Sequence, residues 1–149
     1  YKANLKGAKL DKASMFSTQM LGADLSMASL EGATIAADLY KANLRGANLK
    51  NAKMGADMKN QSMGIMALKA KKAFFDNADL SGADLSRTDL EYASFKNANL
   101  SNANLEFAKL TGVNFVGANL TNTNFTNAEL GANHFCGSIG LDKAIGLKK

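Results

Sequence analysis

Proline and tryptophan are missing from this sequence, and cysteine and histidine each occur once. With Cys136 alone, no disulfide can form within the chain, and a lone cysteine says little about redox compartment. His134 and Cys136 are two residues apart but lack the third and fourth ligands that a metal site needs, and nothing in the sequence warrants a Ser/His/Asp arrangement around His134. No apolar run reaches 18 residues, so no segment reads as a membrane-spanning helix. Aromatics are only 7% of the chain.

Charge is present but divided. Residues 1–72 hold 12 Lys and Arg against 5 Asp and Glu, whereas residues 73–149 hold 6 against 8. A basic half joined to a near-neutral half points to an acidic partner, anionic lipid or nucleic acid at one end, with plain solubility as the competing explanation. The 149 residues suffice for one domain with a sizeable core. The chain opens on Tyr1 rather than Met, so a trimmed or removed leading segment stays open.

What the sequence has in abundance is a period of five. In "ADLSGADLSRTDLEYASFKNANLSNANL" a large apolar residue returns at Leu80, Leu85, Leu90, Phe95, Leu100 and Leu105. Two positions before each stands a small residue: Ala78, Ala83, Thr88, Ala93, Ala98, Ala103. A helix rotates about 100° per residue, so a step of five scatters these leucines around its axis. In a strand an odd step sends successive leucines to opposite faces. A chain that turns a corner every five residues buries all of them, and a fixed repeat period signals stacked units.

Phe75, Phe95, Phe115 and Phe135 are spaced by twenty, so four sides of five make one turn. Allowing shortened steps at "IAADL" (35–39) and "MGADM" (54–58) and a seven-residue step in "LKAKKAFF" (68–75), four inward columns follow. They are expected to be Leu5, Leu25, Leu44, Met63, Leu85, Leu105, Phe125; Leu10, Leu30, Leu49, Leu68, Leu90, Leu110, Leu130; Met15, Ile35, Met54, Phe75, Phe95, Phe115, Phe135; and Met20, Leu39, Met58, Leu80, Leu100, Leu120. The Asn, Asp, Ser or Thr ahead of each Leu is placed to bond backbone at the turns.

Repeats such as "ANLKG" (3–7), "ANLRG" (42–46) and "ADLSG" (78–82) match the A-[DN]-L-x-x motif, and the chain resembles the pentapeptide repeat family over residues 1–135. That resemblance implies an all-β solenoid, a right-handed quadrilateral β-helix, here of about seven four-sided coils. The repeat is irregular at 60–74, where Gln61 and Met66 stand in the small-residue place. Residues 136–149 are expected to form a C-terminal cap, with a short helix from Asp142 to Leu147 and with Ile139, Leu141 and Ile145 over the last turn. The N-terminus has no evident cap, so more chain or a partner is expected before Tyr1. The resemblance leaves cytoplasm and organelle lumen, the thylakoid included, both open.

No cofactor is expected, and no catalytic residue is assigned, since a convex rod offers no cleft. Asp38, Asp57 and Asp79 are expected to stack in one column as a solvated ladder rather than a cation site. "GLDKAIGLK" (140–148) has Leu147 where a phosphate loop needs Lys, so it is read as cap. Nucleic acid is not expected as a partner, for want of aromatics interleaved with the basic residues. The expected partner is a protein or a second copy. Tyr1, Leu21 and Tyr40 form an outward apolar column at one corner, with Phe16 and Met27 on the same N-terminal turns. Lys69, Lys71 and Lys72 project together from the seven-residue step. Some members of the family mimic DNA and bind a type II topoisomerase; that alternative calls for an acidic surface, and this chain has a pI of about 9.3.

Overall fold

A computed structural model describes residues 2–59 and 66–147. The chain winds in stacked coils, and successive coils are joined by parallel bridges. On the first side the ladder runs Asn4, Asp24, Asn43, Phe74, Ser94, Asn114, His134. The second runs Lys9, Ser29, Asn48, Asp79, Asn99, Asn119, Ile139. The third runs Ser14, Thr34, Lys53, Asp84, Asn104, Asn124, Ile145, and the fourth Gln19, Asp38, Lys69, Asp89, Lys109, Glu129. These ladder residues face outward, and the residue after each one turns in.

The five-residue motif makes a corner by a simple circuit. The carbonyl of the inward residue accepts the N–H three positions on, as in Ala83 to Leu80 at 3.0 Å. The second residue after the inward one has positive φ, for instance Gly82 at 67° and Asn97 at 57°. That is the geometry of a turn whose third residue must be left-handed, which Gly and Asn tolerate best. The Asx ahead of the inward residue then accepts the N–H of the residue after it: Ser81 to Asp79 and Ser86 to Asp84, both at 2.9 Å. The expected backbone bond is therefore made by Asp and Asn, which explains their abundance without a ligand, whereas Ser29 and Ser94 donate instead to the carboxylates of Asp11 and Asp76.

Inside, the small residue and the large one are buried together from Ala23 to Met54 and from Ala70 to Leu120. Phe75, Phe95, Phe115 and Phe135 stack, with neighbouring centroids 4.7, 5.7 and 5.2 Å apart. Where Thr replaces the small Ala, its hydroxyl finds a carbonyl: Thr123 donates to Leu100 at 2.7 Å. Burial of each large side chain contributes roughly 1.5–3 kcal/mol.

The columns differ from expectation at one join. Within residues 5–54 and within 75–135 each set stacks as expected, but Leu44 is followed by Phe75, not Met63. Likewise Leu49 is followed by Leu80, Met54 by Leu85, and Leu39 by Ala70 and then Leu90. The second half is thus turned by two sides from its expected place. Lys69 lies 31 positions after Asp38, whereas Lys109 lies 20 after Asp89, so this coil holds 11 extra residues. The last inward residue before them is Met54, and Leu68 N–H bonds Met54 O at 2.9 Å. Met63 lies outside the described residues. Met58, expected inside, is 43% exposed. "LKAKKAFF" has no bulge: Ala70 is buried in the inward place and Phe75 follows at the ordinary step of five. A sequence pattern read by large residues alone passes over an inward alanine, which is why the offset was missed.

The shortened step 35–39 has a different form from a tightened corner. Strand β1, Ser14–Gln19, and strand β2, Thr34–Asp38, run parallel across the place where the third corner would be, with a register break between Phe16 and Gln19. At the other end, the expected helix is a single 3-10 turn, Leu141–Lys143. Ile139 and Ile145 join the ladders and face out at 63% and 54% exposure, while Ala144 and Leu147 pack against the core. Ile139 and Ile145 fall in Asx positions of the repeat, which are outward by geometry.

Candidate interaction surfaces

Four-sided coiling assigns each outward residue to a side or a corner, and only rungs on the same line are neighbours. The fourth corner, between the fourth and first sides, carries Leu21–Gly22, Tyr40–Lys41, Lys71–Lys72 and Glu91–Tyr92 on successive coils. Leu21 and Tyr40 are therefore stacked as expected, both half-buried, and the next rung of the same line is Lys71. Tyr1 lies outside the described residues. Lys41 Nζ sits 5.3 Å from the Tyr40 ring centre. Lys71 reaches Asp89 at 3.7 Å and also pairs with Glu91. Its pKa is raised above the usual 10.5, first by the hydrogen bond to Glu91 and then by the charge of Asp89.

The other assigned residues lie elsewhere. Lys69 stands on the fourth side between Asp38 and Asp89, while Lys71 and Lys72 turn the adjacent corner. Met27 is on the first corner with Lys6, Arg45 and Asp76, 65% exposed, its side chain lying across Gly46. Phe16 is on β1 at the third corner and 56% exposed. The expected Asp38, Asp57, Asp79 column does not form: Asp38 is on the fourth side, Asp79 on the second, and Asp57 lies where the chain has left the coil. Among the described residues no group of three or more His, Cys, Asp and Glu is placed to hold a metal ion.

Sequence reasoning missed one feature. A pocket of about 550 Å³ opens at the third corner, where Phe16, Ala36, Ala56, Met58 and Met66 form its apolar wall and Lys53 its rim. It exists because β1 and β2 run straight through that corner while the third coil departs from it. The shortened steps at 35–39 and 54–58 were its signals in the sequence. A second pocket, about 620 Å³, lies at the C-terminal end among Phe125, Leu130, Phe135, Leu141 and Leu147.

Two aromatic rings on the outside are held by arginine. Arg45 lies 4.1 Å from the Phe74 ring centre and bonds Asp76 at 3.2 Å; Arg87 lies 4.2 Å from that of Phe107. These contacts join neighbouring coils, so Phe74 and Phe107 serve the rod itself.

The family model for pentapeptide repeats matches in eight copies, over residues 1–35, 35–60, 69–102 and 98–131. The chain belongs to the pentapeptide repeat family. The gap between the second and third segments falls between Met54, the last inward residue of the first run, and Ala70, the first of the second. A pentapeptide repeat protein, Rfr23, from the cyanobacterium Cyanothece 51142 is 33% identical over 72% of this chain and 63% of its own, with a TM-score of 0.50. HetL, a pentapeptide repeat protein involved in heterocyst differentiation regulation from the cyanobacterium Nostoc, is 27% identical over 100% of this chain and 67% of its own, TM-score 0.41. A pentapeptide repeat protein from the Arabidopsis thaliana thylakoid lumen is 34% identical over 74% and 67%, TM-score 0.32. The chain thus spans somewhat under two thirds of the Rfr23 chain. No curated protein matches it. No helix among the described residues is long and apolar enough to cross a membrane.

Proposed function

We propose that this pentapeptide repeat chain is a non-catalytic scaffold, a right-handed four-sided β-helix of about seven coils that docks a protein partner through its N-terminal half. The observation that carries this reading is the fourth corner, where Leu21 and Tyr40 stack on successive coils and cations stand around them at Lys2, Lys41, Lys71 and Lys72. A half-buried apolar pair ringed by lysines fits a partner whose contact surface is apolar at its centre and acidic at its edge. A rod is suited to this because its backbone ladder fixes the spacing of the displayed side chains at ~4.8 Å per coil.

The topoisomerase-mimic reading gains no support from these features, since the N-terminal half is basic and the fourth side alternates in sign. The test is capture of partners from the native extract on immobilised protein, beside the double variant Leu21→Asp, Tyr40→Asp. A partner retained by the parent and lost by a variant with unchanged melting temperature supports the assignment. Equal retention by both removes it.

A further inference from the structure

The outward residues of the fourth side alternate in charge along the rod: Asp38, Lys69, Asp89, Lys109, Glu129, preceded by the neutral Gln19. Neighbouring rungs are ~4.8 Å apart, close enough for ion pairs along the ladder. Yet the ion pairs among the described residues are Arg45–Asp76 and those of Lys71 with Asp89 and Glu91. Asp38, Lys69, Lys109 and Glu129 are in none of them. Lys69, Lys109 and Glu129 are exposed, and Asp38 is half-buried.

We infer that the fourth side is a self-complementary surface that takes a second copy of this chain, lying antiparallel with the fourth sides face to face. Consider the two-fold axis that lies in the contact plane, crosses the rods, and passes between the Lys69 and Asp89 rungs. It reverses the order of rungs and keeps the lateral order, so the fourth corner of one rod meets the fourth corner of the other. Lys69 then faces Asp89 of the second copy, Asp38 faces Lys109, and Gln19 faces Glu129. At the corner, Lys71 faces Glu91 and Tyr40 faces Thr111. Every charged rung of the side that meets a charge meets the opposite one, and each pair occurs twice by symmetry.

The same alternation rejects the other arrangements. Two parallel rods related by an axis along their length would set Asp38 against Asp38 and Lys69 against Lys69. An antiparallel pair slipped by one rung, with the axis through Lys69, would set Lys69 against itself and Asp38 against Asp89. Like charges facing one another oppose association, so the pattern selects a register as well as a partner.

Six rungs make a strip only ~24 Å long, which falls short of the ~800 Å² per partner of a standard interface. The dimer is therefore weak and strongly dependent on salt, since exposed charges are screened over ~8 Å at physiological ionic strength. This inference does not depend on the Leu21 and Tyr40 docking site.

Sedimentation of the full chain over a concentration series, at low and at physiological ionic strength, tests it. The parent is expected to dimerise with concentration at low salt and to dissociate as salt rises. Lys69→Glu alone, or Asp89→Lys alone, places like charges at both symmetry-related contacts and should weaken association at least tenfold. The double variant Lys69→Glu, Asp89→Lys exchanges the two signs and should dimerise again. Asp38→Lys with Lys109→Asp is an independent swap of the same kind, and thermal melts show that each variant is folded. A parent that stays monomeric at low salt overturns the inference. So does a dimer indifferent to the single reversals, or one that neither swap restores.

Discussion

From Lys69 to Glu129 every side takes five residues; from Ser14 to Ala56 the third corner is reshaped in three successive coils. In the first region each corner has its left-handed residue, and where Asp or Asn leads the corner the Asx bond is made, as at Asp84, Ser86 and Arg87. In the second region β1 and β2 run through the corner, and the third coil leaves at Gly55 and Ala56. Yet the ladders on the other sides pass through both regions without a break. One corner can be deformed without losing the register because each coil is held to its neighbours on three other sides. Interruptions in a solenoid are therefore local, and they make the pockets that a regular rod lacks.

The largest expected contrast between the regions is in the core. Phe95 is fully buried between two stacked rings, and Phe95→Ala should cost ~3–5 kcal/mol in urea unfolding. Met15, inward but only partly buried beside the reshaped corner, should lose less than half as much when cut to Ala. Equal losses would mean that the altered corner is packed as tightly as the regular one.

Next come the corners. Gly112 has φ of 71°, and a Cβ there would lie 2.5 Å from the Tyr92 ring. Gly112→Ala should cost ~1–3 kcal/mol, from backbone strain together with displacement of that ring. Gly7, also at positive φ but with open space around it, should lose only the backbone part, ~1–2 kcal/mol. Thermal melts of the two variants separate strain from contact.

Smaller again is the Asx bond. Asp79→Ala removes the acceptor for Ser81 N–H on a half-exposed corner and should cost ~1 kcal/mol. Asp57, which bonds Lys59 N–H outside the regular coil, should cost less when changed to Ala.

The smallest effect is electrostatic. The pKa of Lys71 is raised by Glu91 and Asp89, so its contribution is fully present below the usual 10.5 and is lost as pH rises through the elevated folded value. Lys71→Met should narrow its stability deficit against the parent above about pH 10.5. The opposite holds for Asp24. Hydrogen bonds from Ser26 lower its pKa, so its contribution is present above the ordinary carboxylate value and fades in acid as pH falls through the lowered one. Stability against pH for Lys71→Met and Asp24→Asn reads both signs.

The sequence by itself determined the period, the inward columns within each regular run, the bonds of the Asx residues, and the stacking of Leu21 on Tyr40. Five-residue spacing of Leu and Phe leaves only one way to bury them all, so local pattern and fold coincide. The tertiary structure alone decided how the two runs join. The 11 extra residues carry large apolar side chains of their own, and Ala70 is no different in sequence from the small residue of any repeat, so spacing could not show which side resumes at Lys69. Only the hydrogen-bond ladder, which sets Lys69 on Asp38 and Phe74 on Asn43, fixes that offset. With it come the alternating charges of the fourth side and the pocket at the third corner, because both depend on which residues are brought into neighbouring rungs across the interruption.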